Sequence, residues 1–264
     1  MQAGWAAVLA AALLLGFAGY VTALSGLQEQ HVQSTAYKTF RDRLANAVAP
    51  TGPTDPGAPV AVIGIPAIGL RDTVVVEGTS GRDLMRGPGH RRDTVLPGQH
   101  GVSVLFGRGT AFGAPFAGLA RLRAGDRIEV TTGQGAFTYT VNAFGDGDRP
   151  IADTAADRLV LVTAGPGVLP GGTVLVGARL EGGPQPAPGG RPALPAEERA
   201  LAADTAALGG LQLWALALLG SVAVLTAAVR RWHAAAAWTS LAPVPAALLW
   251  AVYENAAALL PNLY

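Results

Sequence analysis

The sequence contains no cysteine among its 264 residues, and it is poor in charge. The lack of cysteine excludes disulfide bonds, thiolate metal ligands and a cysteine nucleophile. Charged residues make up 14% of the chain, whereas a typical soluble protein has about 25%. The formal net charge of +1 lacks the basic excess that nucleic-acid binding normally requires, so we expect no nucleic-acid partner.

The first 28 residues carry no charged side chain. They include the run WAAVLAAALLLGFAGYVTAL, which supplies about the 20 apolar residues that a membrane-spanning helix needs. A cleaved signal peptide is the alternative, but no Lys or Arg precedes the run, and the run is long for a signal peptide. We therefore expect residues 1–28 to be an uncleaved transmembrane anchor.

A second charge-free run covers residues 205–229 and is followed at once by Arg230 and Arg231. Its length and composition predict a second transmembrane helix. The positive-inside rule assigns the two arginines to the cytoplasmic end of that helix. With the anchor leaving the cytoplasm, we expect a cell-membrane protein whose residues 26–204 lie on the extracytoplasmic side.

The apolar C-terminal segment, residues 232–264, allows two interpretations. It contains three prolines and also Glu254, and a carboxylate inside a bilayer is costly and usually functional. The segment is therefore either a third membrane helix or a helix that lies at the membrane interface, packed beside the second span. The sequence favours neither.

Two linkers divide the region between the spans. Residues 29–58 read as a stalk that ends in the Pro/Gly-rich run PTGPTDPGAP, and residues 183–204 begin with a similar Pro/Gly-rich linker. Between them lie residues 59–182, which is an ordinary length for one compact domain.

That domain is predicted to be mainly β. Short runs rich in Val and Ile alternate with turn residues, and the stretch around TTGQG reads as a hairpin. The run TSGRDLMRG predicts a short helix capped by Thr79 or Ser80. Seven or eight short strands at this spacing are typical of a small closed barrel. The predicted strands are 60–65, 72–76, 101–106, the two of the hairpin within 124–141, 159–163 and 173–180.

Several motifs in this domain resemble those of sortases. IPAIGL, GPGH, LPGQ, GAPF and LRAGDRIEV follow one another in the family's order between Pro59 and Gly182, and the resemblance is greatest to the actinobacterial, class E-like sortases. It implies a closed eight-stranded β-barrel with short helices, flanked by transmembrane α-helices. It also implies an exported enzyme that joins surface proteins carrying a sorting signal to cell-wall or pilus amines.

The three catalytic positions of that family are all replaced in this chain. The resemblance assigns the cysteine position to Ala164, the histidine position to Arg108 and the arginine position to Thr173. Covalent catalysis needs an activated nucleophile, and alanine has none. Arginine stays protonated and cannot act as a base. We therefore expect no catalytic residues and a pseudo-sortase that acts in binding or assembly of cell-surface proteins.

Arg108 remains a candidate ligand-binding residue. The resembled enzymes receive a peptide in a groove beside the nucleophile, and a guanidinium there could pair with a carboxylate in a fork geometry. The hypothesis is that the groove binds an extended, acidic or C-terminal peptide segment anchored by Arg108. The alternative is that Arg108 pairs with a nearby Asp or lies in solvent.

Two other functions stay open. One is an active transpeptidase or hydrolase with a non-cysteine nucleophile, for which Thr163 and Ser103 are the residues to examine, although both read as ordinary strand residues. The other is a structural subunit of a membrane complex, with Glu254 and Asn255 contacting an integral membrane protein. The expected partners are the membrane and either a surface protein or sorting-signal peptide or an integral membrane protein. The four scattered histidines show no ligand spacing, and we expect no metal and no cofactor.

Overall fold

The computed structural model of the chain describes residues 2–153, 155–165, 172–231 and 234–264, with side chains described from residue 7 onward. Eight β-strands form one closed barrel. One long helical segment precedes the barrel, and three helices follow it.

The barrel strands run in the spatial order β1-β2-β3-β4-β7-β8-β6-β5, and antiparallel pairing of β1 with β5 closes the ring. The β4–β7 pair is parallel, as is the short β2–β3 pair. This confirms the predicted eight-stranded closed barrel. The strands are β1 Pro59–Ile65, β2 Leu70–Glu77, β3 Gly89–His90, β4 Val102–Phe106, β5 Arg127–Thr132, β6 Gly135–Asp146, β7 Arg158–Ala164 and β8 Thr173–Leu180.

Alternating side chains of each strand fill the barrel interior. On β7, Leu159 and Leu161 belong to the interior cluster with Ile63, Phe116 and Tyr139. Val160, Val162 and Ala164 belong to a second cluster on the outer face, because successive side chains of a strand point to opposite faces. Complete burial of a large apolar side chain contributes about 1.5–3 kcal/mol. Both faces of β7 are thus covered, the outer one by parts of the chain that are not in the barrel.

The N-terminal segment is one almost continuous helix. Helix α1 (Gln2–Gly19) passes through a π-helical turn at Tyr20–Leu24 into helix α2 (Ser25–Ala45). The predicted stalk is not a free spacer, because α2 lies against the barrel. The Gln33 side chain accepts a hydrogen bond from the Val74 amide at 2.7 Å and donates to the Val74 carbonyl at 3.0 Å. Phe40 is fully buried.

A short helix, α3 (Gly81–Leu84), follows β2. Ser80 rather than Thr79 is its N-cap, and Ser80 and Asp83 form a reciprocal capping box. The Thr79 hydroxyl instead donates to the Glu198 carbonyl at 2.7 Å. Of the two predicted caps, Ser80 is thus confirmed. Thr79 instead forms a hydrogen bond with the segment that follows the barrel.

Helix α4 (Ala207–Arg231) covers the second charge-free run. Two helices, the N-terminal one and α4, are long and apolar enough to cross a membrane. Helices α5 (Ala234–Leu241) and α6 (Pro243–Ala258) form a pair bent by 41°, which adds a third crossing if the pair is one broken span. The bend falls at Ala242, directly before Pro243, which cannot donate a backbone hydrogen bond to the preceding turn.

The predicted linker 183–204 is held against the barrel at several points. Gln185 forms a β-bridge with Gln99. A 3-10 turn at Ala196–Glu198 follows, and Glu198 is buried and pairs with Arg92 at 3.2 Å. Burial raises the pKa of the Glu198 carboxyl even though Arg92 opposes the rise. Both the Pro/Gly-rich part and the later part of this segment thus contact the barrel.

Candidate functional site

The end of β7 presents two neighbouring residues to opposite sides of the barrel wall. Ala164, at the position of the sortase cysteine, lies in the outer cluster and is 6% exposed. Thr163 lies on the same face as the interior residues Leu159 and Leu161, and its hydroxyl is buried without a hydrogen-bond partner among the described residues. The Thr163 side chain therefore points to the opposite face of the strand from Ala164, the position of the sortase cysteine.

Thr173 lies directly beside Ala164. The two residues are the last register pair of the antiparallel β7–β8 ladder, so the structure brings together two of the three positions that the resemblance assigned. Arg179, at the other end of β8, pairs with Asp153 at 3.7 Å. It is opposite Arg158, six register pairs from Thr173, and so it supplies no guanidinium to the Ala164 end of the ladder.

Arg108 is fully buried, in the loop that follows β4. Its guanidinium donates to the carbonyl of Gly81 at 3.0 Å and to the carbonyl of Tyr264. Its carbon Cζ lies 4.9 Å from the ring centroid of Phe112, a cation–π contact. Burial lowers the pKa of Arg108 to about 9, so the group is still protonated at neutral pH. Both simple expectations for Arg108 were wrong, because it neither lies in solvent nor pairs with an Asp in the described part of the chain.

The loop around Arg108 is held in a strained backbone conformation. Phe112 has φ of +51° and Ala114 has φ of +44°, values that are uncommon for residues other than glycine. The Phe112 amide donates to the Ser25 hydroxyl of α2 at 3.1 Å, and the Phe112 ring is completely buried. The N-terminal helix thus fixes the aromatic ring that covers the Arg108 guanidinium.

Residues Pro261–Tyr264, which we call the docked turn, occupy the space next to Ala164. The Tyr264 amide donates to the Pro261 carbonyl at 3.0 Å, which closes the turn. The Gly109 amide donates to the Leu263 carbonyl at 2.9 Å. Leu263 is fully buried in the same outer cluster as Ala164. A folded turn, rather than an extended peptide, therefore covers the site in this structure.

Asn262 fixes the position of the docked turn. Its side-chain amide donates to the Thr79 carbonyl at 2.7 Å and to the Arg199 carbonyl at 2.9 Å. Its backbone amide donates to the Ala202 carbonyl at 2.9 Å. Asn262 is completely buried, and buried polar groups are normally hydrogen-bonded in this way. The turn is thus held by the segment after the barrel as well as by the barrel.

The other residues that the sequence pointed to, Ser103, His90 and His100, lie away from Ala164. Ser103 is buried on the interior face of β4, and its hydroxyl has no partner among the described residues. His90 Nδ1 lies 2.8 Å from the Glu77 carboxylate, with both side chains 2% exposed. His100 Nδ1 lies 2.7 Å from Asp157 at the surface. The structure does not bring these three residues to Ala164.

The sequence offered one overlooked signal for this site. A single Asn between apolar residues and a proline, in LLPNLY, is a turn pattern, but nothing in it indicates that the turn returns to the barrel. Within the described ranges, no group of three or more His, Cys, Asp or Glu residues is placed to hold a metal ion.

Ala164 and Arg108 supply neither a nucleophile nor a general base. The Ala164 methyl has no lone pair, and a protonated guanidinium donates hydrogen bonds without accepting a proton. What the site does contain is a buried positive charge, an apolar pocket and a row of backbone donors and acceptors. Such groups suit recognition of a peptide backbone with one anchoring acceptor.

Known proteins support the identification of the barrel. Sortase D of Bacillus subtilis (strain 168) is 34% identical over 86 residues, which are 32% of this chain and 41% of that protein, so the chain spans about two fifths of that relative's length. Sortase E of Streptomyces avermitilis is 28% identical, over 49% of this chain and 91% of that one, with a TM-score of 0.41. A Clostridium perfringens sortase D5 transpeptidase is 22% identical, over 58% and 99%, with a TM-score of 0.49. The sortase domain family model matches residues 63–168, and the closed eight-stranded barrel is typical of the sortase fold: this part of the chain is similar to sortase domains.

Proposed function

We propose that this protein is a membrane-anchored pseudo-sortase that binds a polypeptide segment at the Arg108 and Ala164 site and does not cleave it. The observation that carries the proposal is the state of Arg108, a buried guanidinium that contacts the same docked turn as Ala164, with no Asp or Glu partner in the described part of the chain. A buried charge without an ionic partner is costly. A ligand that brings an acidic or strongly accepting group would lower that cost.

The binding function is directed at the cell surface. The two long apolar helices and the sortase domain support a location in the cell membrane, and the arginines at the end of α4 favour an extracytoplasmic barrel by the positive-inside rule. We propose that the ligand is a surface protein or a sorting-signal peptide and that the protein acts in assembly rather than in transpeptidation.

A remaining enzymatic function would need a hydroxyl nucleophile. Thr163 and Ser103 both have a buried hydroxyl without a partner among the described residues. Both hydroxyls lie on the interior face of the barrel, however, and a general base within hydrogen-bond reach is needed to activate such a group. We therefore expect no turnover of a sorting-signal peptide above the rate in buffer. Turnover that disappears in Thr163→Val or Ser103→Ala would establish the enzymatic function instead.

A structural role in a membrane complex is supported by a different feature. A cavity of about 480 Å³ lies between α2, α4 and α6. Its polar lining includes Gln28, whose amide nitrogen is 3.3 Å from the Glu254 carboxylate, and Asn255, which accepts from Arg82 at 2.9 Å. An integral membrane partner could use these groups. Loss of a partner in Glu254→Gln, with Arg108 variants still binding it, would favour this function.

The binding proposal is tested with Arg108→Met in the full-length protein. Methionine keeps much of the apolar volume but removes all five donors. After cross-linking in membranes and purification, we expect the recovery of the bound protein to fall about tenfold or more, which corresponds to the loss of a charge-assisted contact. Arg123→Met, at an exposed arginine, is the matched control and should leave recovery unchanged. Equal recovery by both variants would refute the proposal.

A further inference from the structure

We propose that the docked turn is the built-in ligand of the Arg108 and Ala164 site, and that the external ligand is a protein segment of the same chemistry, a Pro-Asn-Leu-aromatic turn that replaces it. This inference rests on the proposed binding function and names its ligand class. It makes the chain's own residues Pro261–Tyr264 a competitor for the partner.

The Asn position of the turn is read by two acceptors. The Asn262 side-chain amide donates to the carbonyls of Thr79 and Arg199 at 2.7 and 2.9 Å. A carboxylate of the same shape would place oxygen against both carbonyls, in a fully buried position, and would lose both hydrogen bonds and add a buried charge. The site therefore accepts Asn and rejects Asp, although the two side chains have nearly the same size.

The next two positions, Leu263 and Tyr264, are recognised by an apolar pocket and by a charged hydrogen-bond donor. Leu263 is completely buried against the outer face of β7, in the cluster that contains Ala164, Val162 and Phe106. The small side chain of Ala164 leaves room for Leu263 in this pocket. Tyr264 packs at the edge of the same cluster, and its carbonyl accepts from the Arg108 guanidinium. One apolar residue followed by an aromatic residue whose backbone oxygen accepts from Arg108 satisfies this part of the site.

The site is incompletely satisfied by its present occupant. Within the described residues, Arg108 Nε, Asn262 Oδ1 and the Tyr264 hydroxyl are buried and have no hydrogen-bond partner. Each unpaired buried polar group destabilises the present arrangement. A partner segment that supplies even one further acceptor to Arg108, such as a carboxylate, would bind better than the resident turn. This difference is what allows replacement.

The experiment uses the full-length variant Asn262→Asp in detergent, which is designed to release the turn without changing the barrel. The probe is a fluorescent peptide with the sequence of residues 258–264, prepared with a C-terminal amide and with a free carboxylate. We expect the amide peptide to bind Asn262→Asp about tenfold more tightly than wild type, in which the resident turn competes. The free-carboxylate peptide should bind more tightly still, and a peptide with Asp at the Asn position should bind neither protein.

Control variants make the outcome decisive. Arg123→Met, at an exposed arginine outside the site, should behave as wild type. Hydrogen exchange over residues 259–264 verifies the release of the turn, and if those residues stay protected in Asn262→Asp, Leu263→Asp is measured in its place. Equal peptide affinity of wild type and a released variant whose barrel has kept its melting temperature would overturn the inference. Concentration-dependent dimers of wild type that disappear in the released variant would also overturn it, because the occupant would then be a second copy.

The test separates this inference from the proposed function. If Arg108→Met abolishes partner recovery while the released variant does not bind the peptide, the binding function holds and the ligand class is wrong. If the peptide binds the released variant but partner recovery does not depend on Arg108, the turn is a structural clasp and the proposed function is wrong.

Discussion

The barrel interior and the two long helices are equally apolar in sequence, but the fold treats them in opposite ways. Ile63 and Leu161 are completely buried inside the barrel. Leu15 in α1 and Leu216 in α4 are 74% and 68% exposed. Apolar surface is driven out of water wherever the chain can cover it, and a soluble protein rarely leaves a large contiguous apolar patch uncovered.

The difference is the one expected if the two regions have different solvents, water for the barrel and lipid for the helices. The barrel is complete in water because its strands close on themselves and its side chains fill the inside. The helices satisfy their backbone hydrogen bonds internally and leave their side chains outward, which is the arrangement that a bilayer requires. Helices α1 and α4 could therefore span a membrane, whereas the barrel, with the segments that pack on it, is built for water.

The largest expected effect is a difference in chemical labelling between the two sides of the membrane. Single cysteines at Thr54 and Ser240 are labelled with an impermeant maleimide in whole cells, which is possible because the native chain has no cysteine. With Arg230 and Arg231 on the cytoplasmic side, we expect labelling at Thr54 and none at Ser240. Lysed cells, in which both sites should react, are the control. An unreactive Thr54 site would refute the proposed topology, and a reactive Ser240 site would refute the assignment of the arginines.

The next effect is a loss of barrel stability. Leu161→Ala removes a side chain from the closed interior, where such a cavity costs about 2–5 kcal/mol. We expect the free energy of unfolding of the barrel to fall by that amount. It is measured in mild detergent by denaturant titration, with the circular dichroism of the β-strands as the signal. A loss below about 1 kcal/mol would mean that the interior of the barrel is not close-packed.

The smallest effect is expected from the same substitution on a helix. Leu216→Ala removes an equally large side chain that is 68% exposed on α4. In detergent that side chain contacts only the micelle, so the free energy of unfolding of the barrel should change by less than about 0.5 kcal/mol. A loss as large as that of Leu161→Ala would show that α4 packs on something in the protein, and the contrast between the two regions would disappear.

The barrel could be predicted because its information is local. Alternating Val and Ile runs and glycine turns specify the strands, and the ordered motifs specify the family. Strand β3, Gly89–His90, could not be predicted, since two residues carry no periodicity and their pairing with Val76 and Phe106 is set by the neighbouring strands. The burial of Arg108 was equally hidden, because arginine is almost never fully buried without a partner.

What the sequence could not indicate are contacts between distant segments. The docked turn reaches Arg108 across 156 positions of the chain, and Gln33 reaches Val74 across 41. Both contacts depend on how the helices leave the barrel, and linker composition describes only stiffness and reach. Residues of the predicted stalk 29–58 and of the predicted linker 183–204 pack on the barrel through such contacts, and the division of the chain at these bounds stays a prediction.

The uninterrupted helical rod from Gln2 to Ala45 has a mechanical consequence. At about 1.5 Å per residue it is about 66 Å long, roughly twice the hydrocarbon thickness of a bilayer, which is about 30 Å. Its second half is fastened along the barrel wall by Gln33 and Phe40. Helix α6 packs beside this rod through Tyr253 and ends in the docked turn. These two attachments fix the orientation of the barrel relative to the helices. In the membrane placement proposed above, a change in bilayer thickness that tilts the rod would therefore turn the barrel with it.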